Sequence, residues 1–279
     1  MIKTILGLLL GFLIFGNQTI VSAQDAKRSI TQISGDLYRF QNNFHFSVFL
    51  VTPEGVIVSD PINAEAATWL SNEIKSRFGV PIKYAFYSHH HTDHISGGEV
   101  FANAGATIIA HENAVAGIKA DQVPTALPDQ TFSDRLTLSL GGKTVQLLYL
   151  GRNHSDNSIV ALFPDERTLF AVDFITAKRL PYQTIGRAYF PDYFDTLDKV
   201  AEIDFDIFAG GHGPMGDKQD ALDHAQYLRE LHAAVKQGKS TGKTMEELQE
   251  SITMEKYKNW GQYEQWLKLN IQGMYGYIN

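Results

Sequence analysis

The sequence predicts an α/β (α+β) fold in which two β-sheets stack face to face beneath an outer cover of helices. Three observations predict it. A proline-containing loop, Asp121 to Gln130, divides the chain into two halves, and each half runs through strands into helices. Short apolar runs bounded by Gly, Pro, Asn or Asp recur in both halves, the pattern of strands buried between layers. Metal-capable side chains follow several of these runs, at the strand ends where α/β sheets carry their sites.

The first residues stand outside this fold. Lys3 precedes an apolar run from Ile5 to Phe15, and Val21-Ser22-Ala23 supplies small residues for cleavage before Gln24. That run is too short to span a bilayer well. Residues 1–23 therefore read as a secretory signal peptide. Residues 24–279 read as a single domain ending in helices. The expected location is periplasmic or secreted, with no stable membrane anchor once the signal is cleaved.

Residues 24–36 are polar and read as a lead-in. Leu37 to Phe40 is a first strand, and Gln41 to Phe46 pairs turn residues with aromatics. Ser47 to Thr52 and Gly55 to Ser59 form a hairpin across Pro53-Glu54-Gly55, ended by Asp60-Pro61. Ala64 to Phe78 has helical spacing, with Ala67, Leu70, Ile74 and Phe78 on one stripe. Ile82 to Tyr87 is a strand, Gly97 to Ala104 a helix, Thr107 to Ala110 a strand and Glu112 to Lys119 a helix. In the second half, Arg135 to Leu140 and Thr144 to Leu150 pair across Gly141-Gly142. Ser158 to Phe163 and Thr168 to Val172 are further strands. Ala177 to Pro191 has no clear period and reads as a long loop near the site. Phe194 to Ile203 is a helix and Asp206 to Ala209 a strand. Lys218 to Lys236 is an amphipathic helix, with shorter helices on to Tyr277. These last helices either cap the pocket or pair two copies, and the sequence favours neither.

The 279 residues are 44% hydrophobic and 20% charged, which supports a sizeable core. The net charge of −7 weighs against nucleic acid as a partner, since phosphate contacts need a basic surface. A small-molecule substrate is the expected partner. With no Cys there is neither a disulfide nor a thiolate ligand.

Function concentrates in Ser88 to Gly98. Five of these eleven residues (His89, His90, His91, Asp93 and His94) can bind a divalent cation. His89 and His91 are two apart, so in extended backbone they face the same way, and Asp93 continues the spacing. A catalytic zinc keeps about three protein ligands plus water, so four such donors suggest two adjacent metals. Three more metal-capable residues follow strands: His154, Asp173, and His212 between Gly211 and Gly213. His90 faces away from its neighbours and is left unassigned, to the surface or to packing, and His111, His224 and His232 are read as structural.

The run His89-x-His91-x-Asp93-His94 resembles the signature of the metallo-β-lactamase superfamily. His154, Asp173 and Gly211-His212-Gly213-Pro214 match it in order and approximate spacing, and Asp60 matches its usual aspartate. The resemblance covers about residues 35–215. It implies a four-layer αββα sandwich with the site at one edge of the sheets. It implies one zinc on His89, His91 and His154 and a second on Asp93, His94 and His212. Asp173 would bridge or complete the second site, as in glyoxalase II and acyl-homoserine lactonases. Asp60 would orient a ligand or the histidine loop from behind. The subclass with a Cys ligand is excluded, because Asp173 stands at that position. Its substrate-binding lysine falls at Thr176, which leaves Lys178 and Arg179 as the nearest cations for a substrate carboxylate. His45 and Tyr182 are further candidates for the pocket, and Phe44 and Phe46 for its apolar wall.

Between two close cations a water loses its proton near neutral pH and becomes a nucleophile, with Asp93 holding it in line. The expected activity is hydrolysis of an amide, lactone or ester bond, β-lactams among them, with two Zn²⁺ as cofactors. The alternatives are phosphodiester or sulfate-ester hydrolysis at the same site, another divalent metal, or an iron-binding redox relative.

Overall fold

A computed structural model describes residues 26–186 and 188–278. The signal-peptide segment lies outside the described residues.

The first sheet has seven strands in chain order: β1 (Arg28–Ser34), β2 (Leu37–Asn42), β3 (His45–Thr52), β4 (Gly55–Val58), β5 (Ile82–Phe86), β6 (Thr107–His111) and β7 (Gln130–Phe132). Pairing is antiparallel from β1 to β4 and parallel from β4 to β7. The parallel half needs crossovers. They are supplied by α1 (Ala64–Phe78), α2 (Thr92–Ile95), α3 (Glu99–Asn103) and α4 (Glu112–Ala120). The Asn63 carboxamide oxygen caps α1 by accepting from Ala66 N at 2.9 Å, and Gly79 ends it at φ 68°. The predicted stripe of α1 does face the sheet, with Ala67, Leu70 and Ile74 buried.

The second sheet runs β13-β12-β11-β10-β9-β8. Its strands are β8 (Arg135–Leu140), β9 (Lys143–Leu148), β10 (Val160–Phe163), β11 (Thr168–Ala171), β12 (Ile207–Gly210) and β13 (Gly216–Asp217). The pair β11–β12 is parallel, and α5 (Asp192–Glu202) lies on the crossover between them. Then come α6 (Lys218–Ser240), α7 (Met245–Ser251) and α8 (Tyr263–Tyr277). Reciprocal side-chain caps, Asp217 with Asp220 and Thr244 with Glu247, start α6 and α7.

Three apolar layers make this the predicted αββα sandwich. Leu50, Ile57, Phe86 and Ile109 of the first sheet meet Val145, Leu147, Phe163 and Phe170 of the second. Leu70, Ile74, Phe101 and Ile118 cover the outside of the first sheet. Leu197, Leu228, Leu231, Ile271 and Met274 cover the second. Each fully buried side chain of this size contributes about 1.5–3 kcal/mol.

Four local expectations change. Residues 28–34 are strand β1 rather than a lead-in; its polar, half-exposed residues pair with β2 alone, so they carry little apolar signal. Gln130–Phe132 is a short strand that takes in the last residue of the expected loop. The helix expected from Gly97 begins at Glu99. Strand β5 ends at Phe86, and Asp93 and His94 lie in the single turn α2, so Asp93 does not continue an extended spacing.

Candidate metal centre

The seven predicted donors come together beyond the ends of strands from both sheets. Each arrives on the connection after a strand: His89, His91, Asp93 and His94 after β5, His154 after β9, Asp173 after β11 and His212 after β12. They form two groups, His89-His91-His154-Asp173 and Asp93-His94-His212-Asp173, each with donor atoms within 4.8 Å of one another. Asp173 belongs to both. Its Oδ2 lies 3.3–3.4 Å from Nε2 of His89, His94 and His154, and its Oδ1 is 3.2 Å from His212 Nε2. Asp173 also has φ 66°. The left-handed region is uncommon for a residue with a Cβ, and strain of this kind clusters at functional sites.

The chain fixes which nitrogens face inward. His212 Nδ1 lies 2.9 Å from the Phe44 carbonyl oxygen. A carbonyl only accepts, so Nδ1 carries the proton and Nε2 presents its lone pair to the cluster. His94 Nε2 is 3.1 Å from His212 Nε2, and His91 Nδ1 is 3.0 Å from His154 Nε2. His89 Nε2 is buried and has no hydrogen-bond partner. A buried nitrogen left without a partner is expensive. Five converging imidazoles and two carboxylates, with His89 Nε2 left bare among them, are a donor set that fits divalent cations of the zinc type.

Electrostatics agree with that fit. Burial, then the neighbouring imidazoles, push His91 down to about 4. Burial also lowers His154, and it drives His89 well below the ordinary imidazole range. These three rings are therefore neutral at pH 7, the form that binds metal. Burial would lower His94 too, but Asp173, Asp93 and Asp60 outweigh it and raise it to about 9. In the metal-free protein that proton marks a place where the carboxylates demand positive charge. Asp173 is held well below the usual carboxylate range: burial would raise it, and His94 together with the other imidazoles beside the carboxylate more than compensates.

The surrounding residues hold the donors. Ser88 N–H donates to Asp60 Oδ1 at 2.7 Å, and Asp60 Oδ2 lies 3.8 Å from His94 Nδ1. Burial raises the Asp60 carboxyl to about 6. Asn63, not Asp60, caps α1. Ile62 N–H donates to the His94 carbonyl at 2.7 Å, and this ties Ile62 into φ 68°, a true outlier for a β-branched residue. His90 is not idle packing. Its N–H donates to Asn157 Oδ1 at 3.0 Å, and its Nδ1 accepts from Asn157 Nδ2 at 2.8 Å. A Cβ at Gly117 would sit 2.5 Å from the His90 ring. The sequence reading missed Asn157 and Ile62, because both act through backbone atoms of distant residues.

A cavity of about 690 Å³ opens over the cluster, lined by His45, Arg179 and Tyr182 among others. Phe44 and Phe46 line it as well. His45 Nε2 is 3.4 Å from Asp93 Oδ2. Lys178 does not reach the cavity: it is exposed and paired with Asp220 of α6 at 3.4 Å, because its backbone turns through φ 46° away from the site. The helix α8 contributes Trp266 to the wall, so the last of the C-terminal helices borders this pocket.

His224, from α6, is fully buried. Its Nδ1 lies 3.1 Å from Thr176 Oγ1 and accepts from Thr176 N–H at 3.3 Å. Burial lowers it to about 4. The unfolded chain takes up this proton near pH 6.5 and the folded chain does not. Stability is therefore unaffected above about pH 6.5 and falls as pH drops towards 4. Between pH 7 and 5 this residue is expected to remove about 1–2 kcal/mol. Urea titrations of the native protein and His224→Gln at both pH values check this; equal pH slopes would contradict it.

Comparison with known proteins follows the same lines. Residues 42–212 match the family described as the metallo-beta-lactamase superfamily. A type 2 metallo-beta-lactamase of Elizabethkingia meningoseptica is 27% identical over 184 residues, 64% of this chain and 72% of that one. The 2,4-dinitroanisole O-demethylase subunit alpha of a Nocardioides strain is 28% identical over 134 residues, 47% of this chain and 40% of its own length. A solved metallo-beta-lactamase from Pontibacter korlensis superposes with a TM-score of 0.65 at 20% identity, covering 72% of this chain and 99% of its own. That last likeness speaks for the fold.

Proposed function

This chain belongs to the metallo-β-lactamase superfamily and is a metal-dependent hydrolase, and we propose that it is an exported dizinc enzyme that cleaves an amide, lactone or ester bond in a small molecule. The observation that carries the reading is the pair of donor groups sharing Asp173. His89, His91 and His154 would hold one cation and Asp93, His94 and His212 the other, with Asp173 common to both. Two such cations would acidify water at neutral pH and polarise the attacked carbonyl.

The chain's own residues do the rest. Asp93 is the donor with its side chain about half exposed (51%) to the cavity, so its carboxylate can orient a water and take its proton. His45 stands beside that carboxylate, with Nε2 3.4 Å from Asp93 Oδ2. Asp60 and Asn157 fix the histidine loop from behind, which matters because donors must be set before substrate arrives. Phe44, Phe46 and Tyr182 give the cavity an apolar rim.

The exported location rests on the apolar run Ile5 to Phe15 and the Val21-Ser22-Ala23 cleavage site. Among the described residues no helix is long and apolar enough to cross a membrane.

Turnover of β-lactams, lactones, carboxyl esters, phosphodiesters and sulfate esters by the zinc-loaded protein tests the bond class. Cleavage of an amide, lactone or carboxyl ester at kcat/KM of about 10⁴ M⁻¹s⁻¹ or more supports it. Fast phosphodiester or sulfate-ester cleavage with the carbon–acyl substrates untouched would overturn it. Asp93→Ala on the best substrate is expected to lower kcat by about 100-fold or more. Its stability should change by no more than about 0.5–1 kcal/mol, because an exposed carboxylate supports little of the fold. Normal turnover by this variant would remove Asp93 from the chemistry.

A further inference from the structure

Arg39 is a charged side chain in an apolar layer. Alternation along β2 puts it on the face of Leu37, which packs between the two sheets. The residue is 8% exposed, and its Nε is buried with no hydrogen-bond partner. Among the described residues no carboxylate pairs with it, and burial alone pushes the guanidinium down to about 10. A buried charge without a counter-charge is costly, so this one is held for something other than an ion pair.

Its side-chain hydrogen bonds both lead to the loop that carries His212. Nη2 donates to the Gly210 carbonyl and to the Gly213 carbonyl, each at 2.8 Å. Those two glycines bracket His212, so one nitrogen with two N–H groups pinches the loop together. Gly213 has φ 78°, a conformation that favours glycine. The guanidinium lies over the Phe46 ring, 3.6 Å from its centroid. Phe46 N–H in turn donates to the Gly211 carbonyl at 2.9 Å. His212 Nδ1 donates to the Phe44 carbonyl, so Arg39 and the residues entering β3 hold all of 210–213. His89, His91 and His154 ride on other connections, and Arg39 makes no side-chain hydrogen bond to them.

We propose that Arg39 is a positioning residue for the second cation: it sets the His212 loop so that Nε2 faces the place shared with Asp93 and His94, and it has no such part in the first. The proposal rests on the two-cation reading, since it names what makes the second place. The direction of the effect separates position from charge. A guanidinium acting through its charge alone repels a nearby cation, so removing it would tighten zinc. A guanidinium acting through position loosens zinc when it is removed, by about 10–100-fold.

The test is calorimetric titration of zinc into the metal-free protein, with the His212 ring followed by NMR before zinc is added. In Arg39→Met the second zinc is expected to bind at least about tenfold more weakly, with the first within about twofold of native. In the same metal-free variant the His212 Nδ1 proton should exchange with water at least about tenfold faster, because its bond to the Phe44 carbonyl loosens. Arg39→Lys keeps the charge but not the flat fork over Phe46, and its second zinc should fall between the two. Ile74→Ala, a truncation in the core of α1, controls for lost stability and should leave both affinities unchanged. A second zinc bound as tightly as native or more tightly by Arg39→Met would overturn the proposal. So would equal weakening of both zincs, or the same selective loss in Ile74→Ala. If the methionine variant does not fold, native affinity for both zincs in Arg39→Lys overturns it instead. One zinc alone in the native protein would remove the two-cation reading; the His212 proton then decides for Arg39, whose part stands if exchange quickens in the variant and falls if it does not.

Discussion

Asp173→Asn is expected to lower kcat/KM by more than about 100-fold and to leave the protein with one tightly held zinc instead of two. Asparagine keeps the size of the side chain and tolerates the left-handed backbone at φ 66°, so the change is confined to charge. Loss of a residue that merely orients a ligand costs about 10–100-fold in affinity or activity. Asp173 stands nearer than that, within 3.2–3.4 Å of four imidazole nitrogens and in both donor groups. The variant has a second readout that needs no metal. Asp173 is the strongest of the influences that raise His94, so the His94 ring in the metal-free variant should lose its proton at a distinctly lower pH. NMR titration of the imidazole signals reads this directly, and an unmoved His94 would mean that the carboxylate does not face it. Metal content after dialysis reads the stoichiometry.

Gly97→Ala is expected to destabilise the protein by about 3 kcal/mol or more and to cripple the site with it. Gly97 has φ 84°, where any side chain is strained at about 1–2 kcal/mol. The added Cβ would also lie 2.5 Å from Ala64 Cα and 2.6 Å from the Asn63 carbonyl carbon. Both are backbone atoms at the start of α1 and cannot rotate aside, and overpacking of this kind adds about 1–3 kcal/mol. Relief requires the segment after α2 to move, and α2 carries Asp93 and His94. Gly142→Ala separates the two effects. It has φ 82° but nothing within 4 Å of its added Cβ, so it should show the backbone strain alone, about 1 kcal/mol, with turnover intact. Urea midpoints for the two variants make the comparison; equal losses would contradict the steric argument.

These two residues also show what the sequence could carry. The gathering of Asp173 with six other metal-capable side chains was legible because each stands just past an apolar run, and strand ends are where such sheets place their sites. The αββα layering was legible for a similar reason: strands such as β3 and β10 are short, apolar and turn-bounded, and α1 shows its stripe. Strand β1 was not, because an edge strand half open to solvent needs few apolar residues. The turn α2 was not, because four residues carry no helical period. Asn157 and Ile62 were invisible for a deeper reason. Each works through backbone atoms that are close only after folding, as with Asn157 and His90, and such contacts leave no pattern along the chain. Lys178 and Arg179 are neighbours in sequence and opposite in fate, one paired with Asp220 at the surface and the other turned over Trp266 into the cavity.

The central claim is that two cations share Asp173. Anomalous diffraction at the zinc edge from crystals of the zinc-loaded protein tests it most directly. The expected map has two peaks about 3.5–4 Å apart. One should lie among His89, His91 and His154 and the other among Asp93, His94 and His212, with the Asp173 carboxylate touching both. A single peak at full occupancy under saturating zinc, or two peaks with Asp173 turned away from both, would contradict it.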